Sequence, residues 1–166
     1  MNLQRVVSAG ALGVAALLYG TAAQAVTWAF SYSGTGVTAS GTFTTAGAAL
    51  TPESILSIAG QRNGFAITGL VPLGTDPDFL YDNEFTIAAP NFTDGGVLFS
   101  LVGGRPNTNV YFFEGGYFDL FISDGGPVET PITWAVAVVP EPATVLTMLA
   151  GLGLLGACMR KARANA

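Results

Sequence analysis

The sequence predicts an all-β body folded as an antiparallel β-sandwich and set between two apolar ends. Three observations carry this. β-branched and aromatic residues come in short runs, with glycine, proline, asparagine and aspartate between them. Trp28, Phe30 and Tyr32 alternate with small residues, which is the period of a strand with one buried face. The paired glycines Gly103-Gly104, Gly115-Gly116 and Gly125-Gly126 punctuate the second half at about the spacing of sandwich strands.

Taken in order, Thr27 to Ser33 is the first strand, and Gly34-Thr35-Gly36 turns it into Val37 to Thr44. Ser54 to Ala59 and Phe65 to Leu70 form a second hairpin across Gln61-Arg62-Asn63-Gly64, because Asn-Gly supplies the positive φ angles of a tight turn. The segment from Pro72 to Asp94 is rich in proline and aspartate and reads as a long surface loop with one short strand, Phe85 to Ala88. Val97 to Val102, Asn109 to Phe113, Tyr117 to Ser123 and Ile132 to Val139 complete the body.

The chain has 166 residues. Residues 26–139 form the body, enough for one core and one domain. Here Arg62 and Arg105 are the only cations against ten acids, a net charge of −8, so the surface repels phosphate backbones and nucleic acid is not an expected partner. The single cysteine, Cys158, lies outside the body, which therefore holds no disulfide.

Residues 1–25 read as a secretory signal peptide. Arg5 precedes an apolar stretch from Val6 to Leu18, and Ala23 and Ala25 place small residues where signal peptidase cuts, leaving Val26 first. At the other end, residues 143–159 carry no charge and are followed by the basic cluster Arg160, Lys161 and Arg163. As a helix this stretch is about 25 Å long, close to the least that crosses a hydrocarbon core of about 30 Å. The basic cluster holds the end of the chain in the cytoplasm, so Pro142 and the body before it lie on the far side of the membrane, as the signal peptide also requires. Pro140-Glu141-Pro142 separates body from helix: Pro142 fits a helix start, and it keeps Glu141 extended where a membrane peptidase can grip it. A permanent single-pass anchor is the alternative, with Gly151, Gly153, Gly156 and Ala157 as small packing residues. The Leu-Pro-x-Thr-Gly pentapeptide of sortase substrates is absent, and a GPI signal would not end in a basic cluster.

A signal peptide, a Pro-Glu-Pro tripeptide, an apolar helix and a basic tail, in that order, resemble the PEP-CTERM proteins of Gram-negative bacteria. The resemblance covers about Val139 to Ala166 and makes residues 140–166 a sorting signal. It implies recognition at Pro140-Glu141-Pro142 by an exosortase, a membrane-embedded thiol peptidase, loss of the tail, and transfer to the cell surface or release into an exopolysaccharide or biofilm matrix. The body is also similar to one recurrent type in that family, through Tyr32 to Phe43, Arg62-Asn63-Gly64 with Ile67-Thr68-Gly69-Leu70, and Asp82-Asn83. No activity comes with that likeness.

The chain has no histidine, which removes Ser-His-Asp and Cys-His catalysis and histidine metal sites. Paired carboxylates could still cleave glycosides, but those present cluster at loop positions, so no enzyme activity and no cofactor are expected. Asp76, Asp78, Asp82 and Glu84 are weak calcium candidates, hard oxygen donors without the spacing of an EF-hand loop. Asn91-Phe92-Thr93 fits a glycosylation sequon and is read as chance. The aromatics Trp28, Phe30, Tyr32, Tyr111, Phe112, Phe113, Tyr117, Phe118, Phe121 and Trp134 are read as core, with a carbohydrate-binding face as the alternative. The expected role is structural or adhesive, and the alternative is a carbohydrate- or calcium-binding module.

Overall fold

The structure is a computed structural model that describes residues 25–140. These residues form nine strands: β1 (Val26–Gly34), β2 (Val37–Thr45), β3 (Glu53–Arg62), β4 (Phe65–Leu70), β5 (Glu84–Phe85), β6 (Val97–Leu101), β7 (Arg105–Phe113), β8 (Gly116–Ser123) and β9 (Gly126–Val138). All pairings are antiparallel, and β1 pairs with both β2 and β9. With β2 also paired to β3, eight strands close into an up-and-down barrel, and β5 adds to the start of β3.

The sandwich expectation is corrected by this closure. A sandwich leaves four sheet edges, whereas here the first and last strands zip together from Trp28↔Val138 to Gly34↔Ile132. Closure satisfies the edge N–H and C=O groups that a sandwich leaves unpaired. The alternation of strand residues is the same in both architectures, which is why it misled.

Two strands also begin several residues earlier than the sequence suggests, at Arg105 rather than Asn109 and at Gly126 rather than Ile132. Pro106, Pro127 and Pro131 argue against pairing, since proline has no amide hydrogen for a ladder. The barrel tolerates Pro127 and Pro131 because β9 meets β1 only from Ile132 onward, so its first residues have β8 on one side and no strand on the other. The short strand of the loop is Glu84–Phe85, not Phe85 to Ala88.

The interior is apolar and aromatic. Trp28, Phe30, Phe43, Phe99, Val97 and Val110 are buried inside, while Ser31, Ser33, Thr38, Ser40 and Thr42 face outward and are exposed. This is the reverse of a lipid-facing barrel, which puts its apolar residues outside. Among the described residues no helix is long and apolar enough to cross a membrane. Gly41 faces Phe30 on one side and Gly60 on the other. A Cβ there would come within 2.8 Å of the Gly60 Cα and 2.9 Å of Phe30 Cε1, so two glycines let the strands approach and leave room for the ring.

The segment between β4 and β6 closes one end. Phe85 packs at 5.0 Å from Trp28 and 4.7 Å from Phe43, and Phe92 packs at 4.8 Å from Trp134, ring centre to ring centre. The same segment covers the outer face of β6 and β7, where Leu98 and Asn109 are buried although they point away from the interior. Asn83 pins it in place: its side chain donates to Val71 O at 3.0 Å and accepts from Leu98 N–H at 2.9 Å. The loop is thus a plug whose backbone groups are satisfied by asparagine side chains.

Candidate functional site

The two ends of the barrel differ. At the plugged end, β1 begins and β9 finishes on adjacent ladder positions, and the Val139 N–H donates to Thr27 O at 2.8 Å. The ladder therefore runs to within one residue of Pro140, which is exposed. Proline ends it there, having no amide hydrogen to donate and disfavouring helix in the residue before it. Ala25 and Pro140, the first and last described residues, therefore lie at the same end of the barrel.

At the opposite end the barrel is open. Thr35 and Gly36 of the β1–β2 turn, Asn63 of the β3–β4 turn, and Leu101 and Arg105 at the ends of β6 and β7 rim a cavity of about 340 Å³. Its inner lining includes Arg62, whose side chain is only 11% exposed. The Arg62 guanidinium donates from Nε to Asp119 Oδ2 at 2.9 Å and from Nη2 to Asp119 Oδ1 at 2.5 Å. Tyr32 donates its hydroxyl to Asp119 Oδ2 at 2.6 Å. Asp119, fully buried on β8, thus accepts three charge-assisted bonds inside the barrel. Burial raises the Tyr32 phenol well above its ordinary pKa, and the Asp119 charge raises it further. Burial alone would lower the Arg62 pKa, but its hydrogen bonds and the charge of Asp119 outweigh this, so Arg62 stays firmly protonated.

Sequence reasoning missed this network, placing Arg62 in a turn and Asp119 among solvated acids. A signal was available for each: Arg62 keeps the period of Ile58 and Gly60, and Asp119 interrupts the aromatic run Tyr117-Phe118-Asp119-Leu120-Phe121.

The calcium candidates do not converge. Asp76 accepts from Asp78 N–H at 3.2 Å and from Asn107 Nδ2 at 2.8 Å, and Asp82 accepts from Glu84 N–H at 3.0 Å and from the Thr93 hydroxyl. Among the described residues no three carboxylates gather into a group able to hold a metal ion. Asn91 of the sequon is buried, donating to Thr86 O and Ile87 O, so it braces the loop. The aromatics divide: Trp28, Phe30 and Tyr32 are core, while Tyr111 stacks on Phe118 at 5.7 Å on the outer face and Phe113 is exposed.

The exit of β9 coincides with a family match. Residues 138–163 match the model of the PEP-CTERM protein-sorting motif. The chain carries a PEP-CTERM sorting motif. Only its first residues, Val138 to Pro140, are described by the structure, and they continue directly from the last strand. The motif implies an exported protein, sorted to the cell surface or the extracellular space and processed by an exosortase, a membrane enzyme. No curated protein and no solved structure matches the chain.

Other expected features lie outside the described residues. They are the signal peptide up to Gln24, including Ala23, the residues Glu141 and Pro142, the apolar stretch 143–159, and the cluster Arg160, Lys161 and Arg163. Ala25 is the first residue described, immediately before β1.

Proposed function

We propose that this chain is a non-enzymatic surface or matrix component: a barrel exported behind a cleaved signal peptide, held in the inner membrane by residues 143–159, and then sorted by an exosortase acting at Pro140-Glu141-Pro142. The observation that carries this reading is the PEP-CTERM match at residues 138–163 beginning where β9 ends. Because Thr27 and Val139 are hydrogen-bonded neighbours, removing both ends would leave a barrel whose ladder is complete.

A structural or adhesive role in an exopolysaccharide or biofilm matrix suits a body that has no histidine and no cysteine. A permanent anchor would use the same topology but keep the tail. Replacing Pro140, Glu141 and Pro142 by alanine in the native host tests the reading. The sorted protein is expected to disappear from the surface fraction and an unprocessed form to accumulate in the inner membrane. Unchanged surface delivery of the triple variant would refute it.

A further inference from the structure

We propose that the open mouth of the barrel is a binding site for a small organic monoanion, a carboxylate carried on a single ring or a short apolar body. The first observation is where the positive charge lies. The body has two cations and ten acids, yet Arg62 and Arg105 both line this one cavity and none of the acids does. A body of net charge −8 thus has a positive mouth, and a cleft of one sign with low-dielectric walls concentrates ions of the opposite sign.

The second observation is how the cations are held. Arg62 spends Nε and Nη2 on Asp119, and its guanidinium carbon lies 5.0 Å from the centre of the Phe121 ring. Its Nη1 has no hydrogen-bond partner among the described residues, and the side chain lines the cavity. Arg105 lies over the Phe65 ring at 3.3 Å, with no carboxylate partner among the described residues. Both guanidinium groups are oriented by aromatic rings, so N–H donors remain for a ligand and little side-chain freedom is lost when it binds.

The third is charge and size. Asp119 balances Arg62, which leaves one net positive charge from Arg105 and favours a monoanion over a phosphate dianion. Val37, Leu101, Phe121 and Val128 supply apolar wall. About 340 Å³ is at the small end of ligand cavities, enough for one ring rather than a chain. The mouth is also at the end of the barrel opposite Val138–Pro140, the first residues of the sorting motif. This inference does not depend on the tail being processed.

The test is calorimetric titration of the full chain in a neutral detergent with benzoate, benzyl alcohol and inorganic phosphate, on the wild type and on Arg105→Gln. Arg105 is an exposed rim residue, and an unchanged melting temperature checks that the variant folds. Saturable benzoate binding is expected, at least about ten-fold tighter than benzyl alcohol or phosphate and weakened about ten-fold or more in Arg105→Gln, as for loss of one charge-assisted bond. Absence of saturable benzoate binding overturns the proposal. So does equal binding of benzyl alcohol, phosphate binding as tight as benzoate, or benzoate affinity unchanged in Arg105→Gln.

Discussion

Arg62 at the end of β3 reaches across the barrel interior to grip Asp119 on β8 with two hydrogen bonds, at 2.9 and 2.5 Å. The two residues are 57 positions apart, and their strands are not neighbours in the ladder. The pair therefore cross-braces the barrel at the level where the apolar core gives way to the open mouth. Ionic partners inside a protein are costly to separate, because the survivor keeps its charge but loses its compensation.

Asp119→Ala is accordingly expected to destabilise the protein by about 3–5 kcal/mol, since it leaves Arg62 buried and unpaired. The triple variant Tyr32→Phe/Arg62→Met/Asp119→Leu is expected to recover most of that loss, because it removes every polar group of the network, including the Tyr32 hydroxyl that donates to Asp119, and an apolar set of similar volume needs no compensation. Urea denaturation of the three proteins checks both. A single variant as stable as the wild type would show that the pair carries no strain when broken.

Tyr32 makes stability depend on alkaline pH. Its phenol is held protonated in the fold by burial and by Asp119, so its folded pKa lies above the unfolded value of about 10. Above that pH the unfolded chain releases a proton that the folded chain keeps, so stability is fully present below about pH 10 and declines above it. The slope from this residue is about 1.4 kcal/mol per pH unit. Tyr32→Phe is expected to lower stability at pH 7 by about 1.5–3 kcal/mol, the worth of a hydrogen bond to a charged group, and to flatten the alkaline decline. Melting curves between pH 8 and 11.5 read both effects.

Thr108 on β7 is fully buried, and its Oγ1 has no hydrogen-bond partner among the described residues. The hydroxyl has lost its water without gaining a bond, so Thr108→Val is expected to be neutral or to stabilise by up to about 1 kcal/mol. A drop of more than about 1 kcal/mol in denaturation free energy would mean that the hydroxyl has a partner.

Gly41 and Gly60 face each other where β2 and β3 draw close. Gly41→Ala is expected to cost about 1–3 kcal/mol, since its methyl meets the backbone of β3 and the edge of Phe30. Gly64→Ala at the β3–β4 turn provides a contrast, because nothing lies within 4 Å of its Cβ position and only its φ of +81° opposes the change. A thermal shift for Gly41→Ala no larger than that for Gly64→Ala would contradict the close approach.

Much of this molecule was legible in its sequence where the cause is local. Trp28, Phe30 and Tyr32 announced a strand face, and Asn63-Gly64 a tight turn, because alternation and positive φ are properties of a few adjacent residues. Closure was not legible: whether β1 pairs with β9 depends on residues about a hundred positions apart, and the alternation pattern is indifferent to it. Pro127 and Pro131 hid the first half of β9, because a proline is a strand breaker only where a neighbour needs its amide. The buried Arg62–Asp119 pair was hidden by composition, which counts charges without locating them. The sorting motif was legible because it is linear, an ordered string at residues 138–163 that can be matched without reference to the fold.

Intact-mass measurement of the native protein recovered from the cell surface or medium tests the central claim most directly. A polypeptide that begins at Val26 and ends near Pro140, where the barrel's last ladder bond closes, is the predicted result. A surface protein that still ends at Ala166 would contradict it.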